Sequence, residues 1–402
     1  MAFRSPRPTT LLLAATVVSG GSGYIANALV PAVAGVEDYT RFAVLWSAIF
    51  FVVGALGGLQ QEVTRASAAP SDPRGSRAAP FAIVVAIVVA AVTGLLAAVG
   101  FPALDIASDG GPVVATMLAV AGYAVVAVVC GRLYGVSAFL LLAIVIALDG
   151  VLRLIAVGVA LALGGGITAL AWAISIPFPL ALLVVFPLLR RRLLGVAPLD
   201  VPPRTLAWNA ARLVAAAAAM ALLVSGMPTV LRVAFPHAGA DELAPLALAL
   251  SLVRAPLLIP VLALQSLLIV RFGRSGRRAV LLLAGAIAGG GAVLAIGAAF
   301  IGPLVLDAVY GPPFGSDPVG LGLVVASSGV LGALIVVTAA LVAHGKHVAT
   351  LLAWWGAVAA TLVIALVDLT LPVGVHAGVA MIGGAVAGLA VAIPVLVRGR
   401  VP

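Results

Sequence analysis

Residues 241–278 read DELAPLALALSLVRAPLLIPVLALQSLLIVRFGRSGRR, and this stretch decides the fold class. It opens on the acidic pair Asp241-Glu242, stays apolar from Leu243 to Val270 and closes on Arg271, Arg274, Arg277 and Arg278. The apolar run exceeds the roughly 20 residues that cross a bilayer, so the pattern predicts a tilted membrane helix with its basic end in the cytoplasm. Near its middle stands Arg254, within Leu252-Val253-Arg254-Ala255-Pro256. A guanidinium at that depth costs about 3 kcal/mol on insertion scales, so it is expected to face a bundle interior or a watery cavity. Such a cation calls either for an anionic cargo or for a buried partner.

The rest of the chain repeats this theme. Of 402 residues 64% are hydrophobic and 9% charged, which fits an all-α polytopic membrane protein. Apolar runs predict about twelve transmembrane helices, over residues 10–33, 42–60, 80–100, 113–131, 138–162, 167–189, 209–233, 243–270, 279–301, 319–342, 351–367 and 377–397. Arg4 and Arg7 before the first run resemble a signal-peptide start, but the run is too long for one and is read as the first membrane helix.

Alternating these helices across the bilayer sorts the charges. Of 22 basic residues, 17 fall on one side, while Arg41 and Arg232 mark the opposite edge. That edge instead collects Glu37, Asp38, Asp105, Asp109, Asp241, Glu242, Asp307 and Asp317. The positive-inside rule then places both termini in the cytoplasm; a single lysine and the crowding of Ala, Gly, Val and Leu hint at a GC-rich bacterial genome, hence at a bacterial inner membrane. The net charge of +9 reflects arginines facing membrane lipids and does not call for nucleic acid.

The polar stretch 190–208 divides the chain into an N-terminal six-helix lobe, residues 1–189, and a C-terminal one, residues 209–402. Gly35-Val36-Glu37-Asp38 before the second helix is echoed by Gly239-Ala240-Asp241-Glu242 before the eighth, with Gln61 and Gln265 following at equal distance. Two such lobes are expected to meet around a central cavity, the plan of alternating-access transporters. Gly54-Ala55-Leu56-Gly57-Gly58 and Gly289-Gly290-Gly291 are read as close helix contacts.

Several chemistries are excluded. The one lysine, in His344-Gly345-Lys346-His347, does not form a P-loop, and those histidines lack acidic or cysteine neighbours for a metal. Cys130 is alone, so no internal disulfide forms. No catalytic residue, metal or cofactor is expected. A membrane polymerase or ligase would need a large outward loop with Arg or His, and the longest outward segment, residues 302–318, has neither.

The remaining buried charges are the candidate site. Asp149 and Arg153 stand four residues apart on one helix face. They form either a structural ion pair or an ion-coupling site in which Asp149 takes up a proton or cation. Arg254 has no acid within a turn, so it pairs with Asp149 across the lobes or, with Arg153, grips a phosphate or pyrophosphate. Arg41 and Arg232 either line the outward exit or anchor helix ends. Asn27, Gln60 and Gln265 either bind sugar hydroxyls or bond between helices. Arg212 either snorkels to the surface or guides an anion inward.

Gly21-Ser22-Gly23-Tyr24-Ile25-Ala26-Asn27, then Tyr39-Thr40-Arg41-Phe42-Ala43 and Gln60-Gln61-Glu62-Val63-Thr64-Arg65, resemble the opening of bacterial polysaccharide flippases. Arg254-Ala255-Pro256 and Tyr310-Gly311-Pro312-Pro313-Phe314 extend the likeness. The resemblance is to O-antigen (Wzx-type) flippases of the multidrug/oligosaccharidyl-lipid/polysaccharide superfamily. It implies a V-shaped pair of lobes moving polyprenyl-pyrophosphate-linked oligosaccharide to the outer leaflet, with Arg254 as a cavity arginine. It also implies partners among polysaccharide polymerases and glycosyltransferases. The chain departs from the peptidoglycan-precursor branch in lacking an arginine inside its first helix and two further C-terminal helices, which favours a cell-surface polysaccharide. A small-solute or multidrug antiporter of the same six-plus-six plan is the alternative.

Overall fold

The computed structural model describes residues 8–68, 75, 77–106, 109–193, 199–263, 272, 277–311 and 317–398, and among them every regular element is a helix. In chain order these are α1 (Pro8–Ala68), α2 (Ala78–Ala103), α3 (Gly111–Gly135), α4 (Phe139–Ala162), α5 (Ile167–Ser175), α6 (Pro177–Leu193) and α7 (Pro203–Val224). Then come α8 (Met227–Ala234), α9 (Ala240–Ala263), α10 (Arg277–Tyr310), α11 (Pro318–Ala343), α12 (His347–Leu366) and α13 (Val373–Arg398). Among the described residues ten helical segments have the length and hydropathy of a membrane span, one of them comprising α5 and most of α6.

Three departures from the sequence reading have local causes. The first two expected helices are one element of 61 residues, about 90 Å long at 1.5 Å per residue. That is enough for two crossings only if the helix bends, and it does so at Gly35, whose φ of 80° and ψ of 179° lie outside the helical region. A side chain there would meet the steric penalty that glycine escapes. Glu37 and Asp38, read as part of a turn, lie inside the helix that follows. The expected helices at 167–189 and 209–233 are each interrupted, just before Pro177 and before Met227-Pro228. Proline has no N–H to donate and sits easily at a helix start, so each break falls where a new helix costs least. Finally, α10 runs on to Tyr310 through Pro303, so most of the segment read as an outward loop is helical. Counting α1 as two crossings and adding α9, 24 residues long, recovers the twelve expected passes. Residues 264–271 and 273–276, with Gln265, Arg271 and Arg274, lie outside the described residues, as does Pro312-Pro313-Phe314.

The helices pack as two units, Met1–Val33 with Val44–Ala221, and Ala34–Ala43 with Leu222–Pro402. In the first, Leu56, Leu59 and Val63 of α1 form a core with Ala82 and Ala86 of α2, Ala124, Ala127 and Val128 of α3, and Ala210 of α7. Small residues let these helices approach. A Cβ on Gly54 would stand 2.7 Å from that of Ala221, and one on Gly58 would collide with the Leu213 backbone, whereas Gly57 faces open space. In the second unit α11 is the central helix, packed against α9, α10 and α13. Gly291 of α10 meets Gly329 of α11 backbone to backbone, while Gly289 and Gly290 face outward. Only one glycine of that triplet makes the expected contact.

Several acids between the helices cap helix starts or hold turns. Asp317 accepts from the N–H groups of Val319 and Gly320, at 3.1 and 2.9 Å, and so caps α11. Glu242 accepts from the Gly239 N–H at 3.2 Å at the start of α9, and Asp368 from Thr370 N–H at 3.0 Å. Asp109 accepts from the Thr168 hydroxyl at 3.2 Å, tying the segment before α3 to α5.

Candidate functional site

The first unit encloses a charged pair in the interior of its helices. Asp149 and Arg153 lie on adjacent turns of α4, and Arg153 Nη2 donates to both Asp149 oxygens at 2.7 Å. The Arg153 side chain is 4% exposed and that of Asp149 15%. Two aromatic rings close the guanidinium in. Its central carbon lies 4.5 Å from the Phe178 ring centre on α6 and 5.1 Å from that of Phe50 on α1. Those rings are 6.4 Å apart, and Tyr123 of α3 meets Phe178 edge-on at 5.3 Å. Aromatic faces are negative and attract a cation, more strongly when water is excluded. Gly150, beside Asp149, lets α4 reach the Ser19 backbone of α1, where a Cβ would find no space. The Arg153 Nε is buried without an acceptor, so the carboxylate and the two rings hold this charge while one donor stays unsatisfied.

Arg153 is therefore enclosed by α1, α4 and α6 rather than presented at a surface. In chemical terms the cluster is a charge pair whose acid half is the more accessible. A proton or cation reaching Asp149 would weaken its hold on Arg153, and the guanidinium would then need another anion or a route to water.

The other expected site residues are dispersed. Asn27 on α1 belongs to the first unit and is buried at 4% exposure. Arg41 and Arg232 belong to the second unit. Arg41 pairs with Asp38 at 3.4 Å, and Arg232 on α8 donates to the Ala238 carbonyl at 3.3 Å. Arg254 is in α9, nine residues before its end at Ala263, and its side chain lies outside the described residues. His344 Nδ1 sits 2.7 Å from the Ala340 carbonyl, and among the described residues no group of three His, Cys, Asp or Glu is placed to hold a metal.

The sequence reading missed a second polar cluster. Glu62, 2% exposed near the end of α1, accepts two bonds from Arg65 at 2.8 and 2.9 Å and one from Asn209 of α7 at 3.0 Å. Arg65 also reaches Asp200 at 2.8 Å, and the Asp200 N–H bonds the Ala66 carbonyl at 3.3 Å. Leu199 and Leu206 pack on Ala66 beneath it. The spacing of Glu62 and Arg65 at i, i+3 after an apolar run was the available signal.

Comparison with known proteins fits this architecture. No family model matches the chain. Uncharacterized protein Rv1510 of Mycobacterium tuberculosis is 30% identical over 374 residues, covering 90% of this chain and 84% of the relative. Uncharacterized protein Mb3654 of Mycobacterium bovis is 28% identical over 410 residues, covering 96% and 90%. Among solved structures, an inward-facing multidrug resistance MATE family transporter of the MOP superfamily superposes with a TM-score of 0.67 at 15% identity, over 96% of this chain and 94% of the other. A MOP superfamily transporter from Pyrococcus furiosus gives 0.66 at 14%, over 98% and 96%. The lipid II flippase MurJ, in an inward closed conformation, gives 0.66 at 12%, over 94% and 87%.

Proposed function

The chain belongs to the family of the mycobacterial protein Rv1510 and has the fold of MOP-superfamily transporters, and from that premise we propose that it carries an anionic lipid-linked oligosaccharide across the membrane. The cargo is a polyprenyl-pyrophosphate-linked glycan, moved from the inner to the outer leaflet of the bacterial cytoplasmic membrane by alternating access, with both termini in the cytoplasm. The observation that carries this reading is the buried Asp149–Arg153 pair, a guanidinium held inside the helical bundle by a single carboxylate. An arginine is an apt ligand for pyrophosphate because its planar fork bonds two oxygens and its charge does not titrate away. Asp149 would be the coupling group. Its protonation frees Arg153 for the phosphate, and Arg254, Arg41, Arg232 and Asn27 are proposed as further residues that serve the cargo.

The same fold serves the MATE transporter, so a multidrug or small-solute antiporter is the competing reading. Leaflet transfer of a fluorescent polyprenyl-pyrophosphate sugar in proteoliposomes, read with a membrane-impermeant quencher, separates the two. Protein-dependent transfer that is lost in Arg254→Ala supports the lipid-linked cargo. Failure of folded protein to transfer it under any ion gradient, together with efflux of a cationic dye, transfers the assignment to the antiporter.

A further inference from the structure

The start of α7 has two faces. One is locked inward. Leu206 and Ala210 are buried against α1, and Leu213 lies where Gly58 gives the backbone room. The opposite face carries Arg204, Trp208 and Arg212, spaced four residues apart and all exposed. At a spacing of four these side chains form one stripe. Trp208 is 60% exposed, and the Arg212 guanidinium carbon stands 4.8 Å from its ring.

Helical side chains lean back over the preceding turn, so Arg212 brings its charge to the level of Trp208. Its Cα is about 12 Å along the axis from that of Arg204, at 1.5 Å per residue. Arg204 and Arg212 thus flank Trp208 on one exposed stripe, and the rotamer freedom of their long side chains lets both swing toward one phosphate headgroup. The carboxylates described at this end of the unit, Glu62 and Asp200, are both engaged by Arg65. Among the described residues neither Arg204 nor Arg212 makes an ion pair. Tryptophan and arginine are the residues that settle at the headgroup level of a bilayer.

We infer that the Arg204–Trp208–Arg212 stripe of α7 is a docking site for the headgroup of an anionic phospholipid in the leaflet at which α7 begins. The phosphate accepts from both arginines, and the indole lies along the glycerol and upper acyl chain. The inference does not depend on which cargo the protein carries.

Native mass spectrometry of the full-length protein, titrated with phosphatidylglycerol and with phosphatidylcholine, tests it. Each arginine near an anionic surface contributes enough that Arg204→Gln/Arg212→Gln should bind phosphatidylglycerol roughly 30-fold more weakly, with little change for phosphatidylcholine. Arg204→Lys/Arg212→Lys should retain most of the binding, which guards against a folding defect in the glutamine variant. Arg278→Gln, an exposed arginine at the start of α10, should bind as the unaltered protein does. Undiminished phosphatidylglycerol binding by the double glutamine variant would overturn the assignment. So would an equal loss in Arg278→Gln, or equal affinity for the two lipids.

Discussion

Replacing Asp149 with alanine leaves the Arg153 guanidinium in place without its carboxylate. Arg153 is 4% exposed, so water cannot take over the role. Removing one member of a buried pair costs about 3–5 kcal/mol, because the survivor is an uncompensated charge. The Phe50 and Phe178 rings remain and offset part of this, each cation–π contact being worth about 0.5–2 kcal/mol. A net loss of about 3 kcal/mol is expected, within those ranges. Arg153→Met in the same protein removes the orphaned charge and the unsatisfied Nε, so Asp149→Ala/Arg153→Met should recover most of the stability. Thermal denaturation of the detergent-solubilised protein, followed by size-exclusion recovery, reads both. The reasoning is refuted if Asp149→Ala melts like the unaltered protein, or if the double variant is no better than the single one.

Other substitutions probe the scaffold. Gly58→Ala drives a methyl into the Leu213 backbone and should cost about 1–3 kcal/mol in overpacking, while Gly57→Ala, facing open space, should be neutral or stabilise by up to about 1 kcal/mol; parallel melting curves compare them. Arg65→Ala strands the buried Glu62 carboxylate with Asn209 alone and releases Asp200. Losing that partner should cost about 1–3 kcal/mol and speed proteolytic cleavage near residues 199–204. Gly35→Ala must adopt a φ near 80° or straighten the bend, at about 1–2 kcal/mol, which a lower melting temperature would report.

The membrane passes were legible in sequence because a long apolar run has few other uses. Their punctuation was not. Glu37 and Asp38 imitate a turn, yet the bend rests on Gly35, and the breaks before Pro177 and Pro228 are hidden within apolar runs that hydropathy reads as continuous. At the site, the Asp149–Arg153 pair followed from a spacing of four. The aromatic enclosure did not, because Phe50 and Phe178 come from helices far from α4 in the chain and nothing local marks them. Asp200 and Asn209 were likewise invisible as partners of Glu62 and Arg65. Asp200 sits in a polar stretch whose composition announces a connection between lobes, not a tether onto α1, and Asn209 opens an expected membrane helix just after it.

The central claim is that a phosphate-bearing headgroup is what the arginines recognise. It is tested most directly by comparing initial leaflet-transfer rates, in the same proteoliposomes, for a polyprenyl-pyrophosphate sugar and an uncharged polyprenyl glycoside with the same sugar and lipid tail. The pyrophosphate lipid should be transferred and the neutral one should hardly move, with excess pyrophosphate lipid slowing the labelled substrate by competition. Equal rates for the two lipids, or transfer of neither by folded protein, would contradict it.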